Sequence, residues 1–339
     1  MKAAIFYGKK DLRVEEIEAK SPGPNEVKIR VRACGVCGTD LHIFSGAEGA
    51  AKCTPPTILG HEFSGIISEV GSDVTEFNPG DRVCVDPNDM CGECYYCKTG
   101  SAHFCEKMIG IGTTTDGGFA EYCTVHKKQV YKMGDEMSFE EGAMTEPISC
   151  CLHGIDQSGI KSGDTVMIIG GGTIGQIMLQ LARISGASTL ILIEPIKEKR
   201  ELGLQLGADI AIDPLTEDIS DVLQKQSIQH INVTIECVGL KNTMIDAIQY
   251  VSKGGTALLF GLTDPACQIP LAPFDLFKRE VSIKASFINP YTFQRALNLL
   301  NSKKLNIRAL ISDTLPLPEI QRAFTDDTCR KRGKIIIKP

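Results

Sequence analysis

The 339 residues contain no tryptophan, and aromatic residues make up only 6% of the chain. A stacking platform for nucleic-acid bases is therefore not expected. Basic residues are not in excess either: 36 Lys and Arg face 42 Asp and Glu, for a net charge of -6. That balance argues against nucleic acid and against anionic membrane surfaces as partners. No apolar run approaches the ~20 residues that a bilayer span requires. The opening Met1-Lys2-Ala3-Ala4-Ile5-Phe6-Tyr7-Gly8 lacks the apolar core of a signal peptide, so a cytoplasmic location is expected. Small molecules and other subunits remain as partners. Cysteine, by contrast, is abundant at fourteen residues, which in a reducing compartment points to metal or catalysis more than to disulfides.

At about 150 residues per domain the length predicts two. Residues 1 to about 135 read as short β-rich runs broken by Gly and Pro. Val27 to Arg32 alternates apolar and basic residues, and Phe63 to Val70 and Arg82 to Val85 follow between turns such as Asn78-Pro79-Gly80-Asp81. This half is expected to be a mostly antiparallel, barrel-like β domain. From about residue 150 apolar strands alternate with helices, the pattern of a parallel α/β sheet. Strands are expected over 165–169, 189–193, 231–235, 256–260 and 281–285, and helices over 174–185 and 198–206. The β-branched triplet after Lys334 predicts a closing strand.

Cys91, Cys94, Cys97 and Cys105 follow the pattern Cys-x2-Cys-x2-Cys-x7-Cys. Four thiolates at short spacing satisfy tetrahedral zinc and leave no position for chemistry, so a structural zinc is the reading. An iron–sulfur cluster also takes four cysteines, but its common motifs space them differently.

A second group is more dispersed. Gly35-Val36-Cys37-Gly38-Thr39-Asp40-Leu41-His42, Gly60-His61-Glu62 and Thr145-Glu146-Pro147 offer a thiolate, an imidazole and carboxylates, the donor mix of a catalytic zinc that keeps one position open. Singly, each has a bland alternative: Cys37 as a buried hydrophobe, His61 as a structural hydrogen-bonder, Glu62 as a solvated charge.

The stretch Gly170-Gly171-Gly172-Thr173-Ile174-Gly175 holds Gly-x-Gly-x-x-Gly at 170, 172 and 175, after an expected strand and at the start of an expected helix. Such a turn brings backbone N–H groups and a helix N-terminus to a pyrophosphate. Glu194, nineteen residues past the third glycine, can accept hydrogen bonds from adenine-ribose hydroxyls and would repel a 2′-phosphate. NAD is therefore expected over NADP, although Lys197, Lys199 and Arg200 stand near enough in sequence to grip a phosphate.

With Gly60, His61, Glu62, Gly65, Gly71 and Val74 matching Gly-His-Glu-x2-Gly-x5-Gly-x2-Val, the chain resembles the zinc-containing medium-chain dehydrogenase/reductase superfamily along essentially its whole length. The resemblance implies a Rossmann doubly wound parallel sheet over 151–285 and a GroES-like β-barrel-type catalytic domain formed from 1–150 and 286–339. It implies two zinc ions, with Cys37 and His61 as catalytic-zinc ligands and Glu62 as a carboxylate that ligates the zinc or exchanges with water there. Glu146 falls where polyol and threonine dehydrogenases carry Glu and classical alcohol dehydrogenases carry Cys. Thr39 and His42 match the family's proton relay, and Gly170, Gly172, Thr173, Ile174, Gly175, Glu194 and Lys199 match cofactor positions.

The function expected is NAD-linked oxidation of a secondary alcohol of a polyol or polyol phosphate to the ketose. A threonine-type dehydrogenase and a non-catalytic zinc-binding module are the alternatives. Sorbitol dehydrogenases carry an Arg-Tyr pair after a Phe where this chain reads Ser286-Phe287-Ile288-Asn289-Pro290-Tyr291, a stretch that resembles pentitol, other polyol or polyol-phosphate dehydrogenases. A homodimer or homotetramer is the family's assembly. Of the remaining cysteines, Cys34, three positions before Cys37 in a Cys-x2-Cys, is read as no redox pair. Cys84, Cys123, Cys150, Cys151 and Cys237 are expected in the core, and Cys53, Cys267 and Cys329 at the surface.

Overall fold

The computed structural model describes residues 1–47 and 52–339. The chain forms two compact units, one of Met1–Ser149 with Pro290–Pro339, the other of Cys150–Asn289.

The first unit is built on antiparallel β-structure. Its main sheet runs in the order Val130–Lys132, Arg82–Val85, Glu62–Val70, Glu26–Gly35, Lys334–Lys338, Ile311–Pro316, with Tyr122–His126 also paired to Glu26–Gly35. The alternation seen from Val27 to Arg32 is the two-residue period of a strand with one face in the core. Val27, Ile29 and Val31 are buried with Phe63, Ile67 and Phe119, while Arg30 and Arg32 are exposed. Lys28 breaks the pattern: it is buried and reaches Glu69 across the strand pair at 2.7 Å. The closing strand inserts beside Glu26–Gly35, pairing Ile336 with Gly35 and Ile337 with Cys34. It thereby brings the end of the chain to a site begun near residue 35.

The second unit is a six-stranded sheet, all parallel, in the order Ile210–Ile212, Thr189–Ile193, Thr165–Ile169, Val233–Glu236, Thr256–Leu259, Ser282–Ala285. Its central strands are nearly continuous apolar runs because both faces of a parallel sheet are covered. Met167, Ile169, Ile191 and Ile193 accordingly share one core cluster. Strand order reverses between Thr165–Ile169 and Val233–Glu236, the topological switch point at whose carboxyl ends ligands bind in such sheets. The glycine turn follows the first of these strands. A Cβ on Gly175 would stand 1.8 Å from the carbonyl oxygen of Gly170, so only glycine lets the helix Thr173–Ile184 close onto that turn.

Sequence periodicity does not flag the strand Ile210–Ile212 or the helices Ile219–Lys225, Lys241–Tyr250 and Pro273–Arg279, which are short or have mixed faces. Cys329, expected at the surface from its charged neighbours, is instead fully buried. It lies on the short helix Asp327–Arg332, whose phasing turns that one side chain into the core with Phe324. Cys150 and Cys237, expected in the core, are half-buried. Among the described residues no helix is long and apolar enough to cross a membrane.

Candidate active site and metal centres

The lobe Cys91 to Cys105 is held by its own backbone. The amide of Cys91 donates to Cys105 Sγ at 3.3 Å and that of Cys94 to Cys91 Sγ at 3.4 Å. The amides of Cys97 and Glu106 pull the Cys94 thiol down to about 6. All four sulfurs lie within 4.8 Å of one another, with Cys91 and Cys97 3.9 Å apart. Zinc–sulfur bonds of about 2.3 Å in a tetrahedron would set the sulfurs about 3.8 Å apart, so the geometry fits a four-thiolate zinc.

The second centre is assembled from distant segments. Cys37 ends the loop after Glu26–Gly35 and sits at the N-cap of the helix Gly38–Ser45. The chain enters the strand Glu62–Val70 through Gly60 and His61. One donor atom each from Cys37, His61 and Glu62 lies within 4.8 Å of the others. Asp40, on the first turn of the helix and wholly buried, ties the group together. Its Oδ2 accepts a hydrogen bond from the Cys37 amide at 2.8 Å, and its Oδ1 lies 3.4 Å from His61 Nδ1. A carboxylate on one ring nitrogen orients the imidazole and leaves Nε2 for a metal.

Behind Glu62 stands Lys334, the first residue of the closing strand. Its Nζ lies 2.7 Å from Glu62 Oε1 and 2.5 Å from Oε2, and it donates to the Val36 carbonyl at 3.1 Å. A Cβ on Gly35 would fall 2.1 Å from Glu62 Oε2 and 3.2 Å from Lys334 Cε, so glycine there opens the space this buried pair fills. Burial opposes the charge on Lys334, but Glu62, then Cys37 and Glu146, outweigh it and raise its pKa above the ordinary lysine range. Burial likewise opposes protonation of His61, and Asp40 and Cys37 outweigh it and hold its pKa well above the usual imidazole value. Glu62 Oε2 is sealed from water and touches the ammonium without a well-directed hydrogen bond. A buried group so rich in anionic donors, with a sulfur, a nitrogen and an oxygen turned to one point, fits a divalent zinc.

Glu146 is buried on the first turn of the helix Thr145–Ser158, and its charge reaches Lys334. Its carboxylate lies outside the three-residue group. Thr39 and His42, three residues apart on the helix Gly38–Ser45, are both half-buried and share one helix face.

In the nucleotide unit Gly172 is the N-cap of Thr173–Ile184, with Thr173, Ile174 and Gly175 in its first turn. Glu194 is 4% exposed, and both its oxygens are engaged: Oε2 accepts from the Gly171 amide at 2.7 Å and Oε1 from the Ile196 amide at 2.8 Å. Arg200 is occupied by the carbonyls of Glu194 and Pro195 at 2.8 and 2.7 Å and by Asp213 at 3.3 Å. Lys199 lies on the helix Lys197–Gln205, where its carbonyl accepts from Gln176 Nε2 at 2.9 Å.

Residues 23–135 match the alcohol dehydrogenase GroES-like domain and residues 173–302 the zinc-binding dehydrogenase domain. The chain is 32% identical to D-arabinitol dehydrogenase 1 of Uromyces fabae, over 99% of this chain and 97% of that one. It is 31% identical to L-threonine 3-dehydrogenase of Caldanaerobacter subterraneus, over 98% and 97%. It belongs to the zinc-containing medium-chain dehydrogenase/reductase superfamily, in the polyol branch. A candidate zinc-binding dehydrogenase from Sinorhizobium meliloti, solved with NADP bound, has the same fold. Its TM-score is 0.96 at 36% identity, over 100% of this chain and 99% of that one. This dehydrogenase is thus an oxidoreductase acting on alcohols, with a Rossmann sheet and a GroES-like domain, and the alternative of a non-catalytic zinc module falls away.

Two residues at the centre escaped sequence reasoning, Asp40 and Lys334. Asp40 lies inside the quoted stretch between Thr39 and His42, and its N3 position in the helix, three past Cys37, was the available signal. Lys334 gave only a weak one, a charge heading a β-branched strand. For the lobe the outcome is plain: Cys94→Ser should leave one fewer zinc per chain by elemental analysis, and an unchanged zinc content would contradict the assignment.

Proposed function

We propose that this dehydrogenase oxidises a secondary alcohol of a polyol or polyol phosphate to the ketose, reversibly, by hydride transfer to NAD. The observation that carries the reading is the mixed donor set of Cys37, His61 and Glu62. Unlike four thiolates, three protein ligands leave a position for a substrate oxygen. Zinc, when bound, supplies a Lewis acid that brings ionisation of an alcohol hydroxyl into the neutral range and polarises a carbonyl. Asp40 holds His61 in orientation, and Lys334 holds Glu62.

Thr39 and His42 are placed one helical turn apart, a spacing that suits a hydroxyl and an imidazole passing a proton toward solvent.

NAD is favoured over NADP because Glu194 places a buried carboxylate at the end of the second strand, and the nearby Arg200 is committed to backbone carbonyls. All fourteen cysteines stand free of disulfides, which suits a cytoplasmic setting. The strand Ser282–Ala285 is a sheet edge, and Phe274 and Phe277 on the preceding helix are 73% and 77% exposed. These support the homodimer or homotetramer that we propose as the assembly.

Three measurements test this reading. NADH formation across polyols, polyol phosphates, threonine and simple alcohols should be greatest on a polyol and abolished by a zinc chelator. Turnover on threonine alone would move the enzyme to the amino-alcohol class, and none on any secondary alcohol with two zincs per chain would defeat the proposal. Glu194→Ala should reduce the preference for NAD over NADP by about tenfold, the scale of one lost charge-assisted contact, and an unaltered ratio would contradict its role. Light scattering should give the mass of a dimer or tetramer, against which a monomer would count.

A further inference from the structure

The carboxylate that completes the three-residue centre is already held by another cation. Lys334 Nζ stands 2.7 and 2.5 Å from the two oxygens of Glu62, inside a pocket where Lys334 is 6% and Glu62 1% exposed. The ammonium is fixed from behind by the Val36 carbonyl at 3.1 Å and by the strand pairing of Ile336 with Gly35. Only one of the two oxygens forms a well-directed hydrogen bond. Oε2 touches the ammonium without one, and this same oxygen fills the space opened at Gly35. Glu62 is thus poised between two positive partners and satisfied by the weaker. An ammonium attracts through a single charge, whereas a dication offers a second charge and a direct bond of about 2.0–2.2 Å to a carboxylate oxygen.

We propose that Lys334 is a positioning residue that shares the Glu62 carboxylate with the metal of the Cys37–His61–Glu62 centre. By doing so it sets how firmly that metal is held and keeps the open position from being closed by Glu62. The inference rests on the reading of that centre as a metal site. Lys334 touches neither substrate nor cofactor and acts through Glu62 alone. Its positive charge lowers the net negative charge facing the metal, and its hydrogen bond holds one carboxylate oxygen away. Without it, a buried and unpaired carboxylate has one remaining way to be satisfied, which is to turn fully onto the metal.

The test uses the full-length enzyme carrying its own zinc. Zinc release to a metallochromic chelator should resolve two phases, and the Cys94→Ser chain assigns the one belonging to the four-cysteine lobe. K334M should slow release from the other centre about tenfold or more, the scale on which groups behind the ligands tune metal affinity. The lobe phase, unchanged, reports that the variant is folded. With cobalt in place of zinc, K334M should change the visible d–d bands as the second carboxylate oxygen of Glu62 joins the coordination sphere, and kcat should fall while the metal content stays at two. K334Q keeps a donor for the Val36 carbonyl but loses the charge, and it should move both readouts in the same direction by less. It decides the matter if K334M does not fold. Release rates and cobalt spectra equal to wild type in the folded variants would overturn the proposal. One zinc per chain in the wild type, lost in Cys94→Ser, would instead remove the metal reading on which it rests.

Discussion

Two opposite charges sealed from water, 272 residues apart in sequence and within 3 Å in space, tie the closing strand of the GroES-like unit to its three-residue centre. Desolvating each ion costs several kcal/mol, and attraction offsets that only when geometry and additional hydrogen bonds are right. The requirements can be read outward from Glu62 and Lys334. The ammonium needs the Val36 carbonyl, the carboxylate needs a neighbour without a Cβ at position 35, and Lys334 needs a strand that ends beside Glu26–Gly35. The closing strand cannot therefore be an ornament at the end of the chain. It delivers the counter-ion for a carboxylate that would otherwise be buried alone.

The two candidate metal centres show opposite ways of building a donor set. The lobe takes four like ligands from one loop, and its own amides orient the sulfurs. All four ligands come from that one loop, which suits a closed site. The other centre takes three unlike ligands from two separate segments, the cap of one helix and the entry and first residue of one strand, with Asp40 and Lys334 from the helix and the closing strand behind them. Three protein ligands, where the lobe has four, are what leave a coordination position open.

That difference also explains what could be read from the sequence. The lobe was legible because its ligands are local: spacing alone nearly fixes the geometry. The glycine turn was legible because the positive φ of Gly170 and the close approach of Gly175 to the Gly170 carbonyl leave few other residues possible at those two positions. The parallel strands stood out as apolar runs. Cys37, His61 and Glu62 were legible only through the resemblance, since each has an ordinary structural alternative. Asp40 and Lys334 were not singled out, because a buried charge looks in sequence like any other charge until its partner is known. The short helices Ile219–Lys225 and Pro273–Arg279 were missed for a related reason, having too few turns to establish a period.

Glu194 ties the glycine turn to the loop after the second strand by the same logic of partner counting. An ionised carboxylate has about four lone-pair positions. Two are taken by the amides of Gly171 and Ile196, one from the glycine turn and one from the loop after the second strand. The two that remain match the two O–H donors of a vicinal ribose diol. A 2′-phosphate offers charge of the same sign and replaces one of those donors. The side chain that would discriminate between the cofactors is therefore also a clasp holding the pyrophosphate turn to the next strand. A shorter Asp would have to give up one of the two amides or draw the turn inward. The clasp and the charge at this position are thus coupled through one residue: Gln would remove the charge but could accept from only one of the two amides, because its NH2 end is a donor.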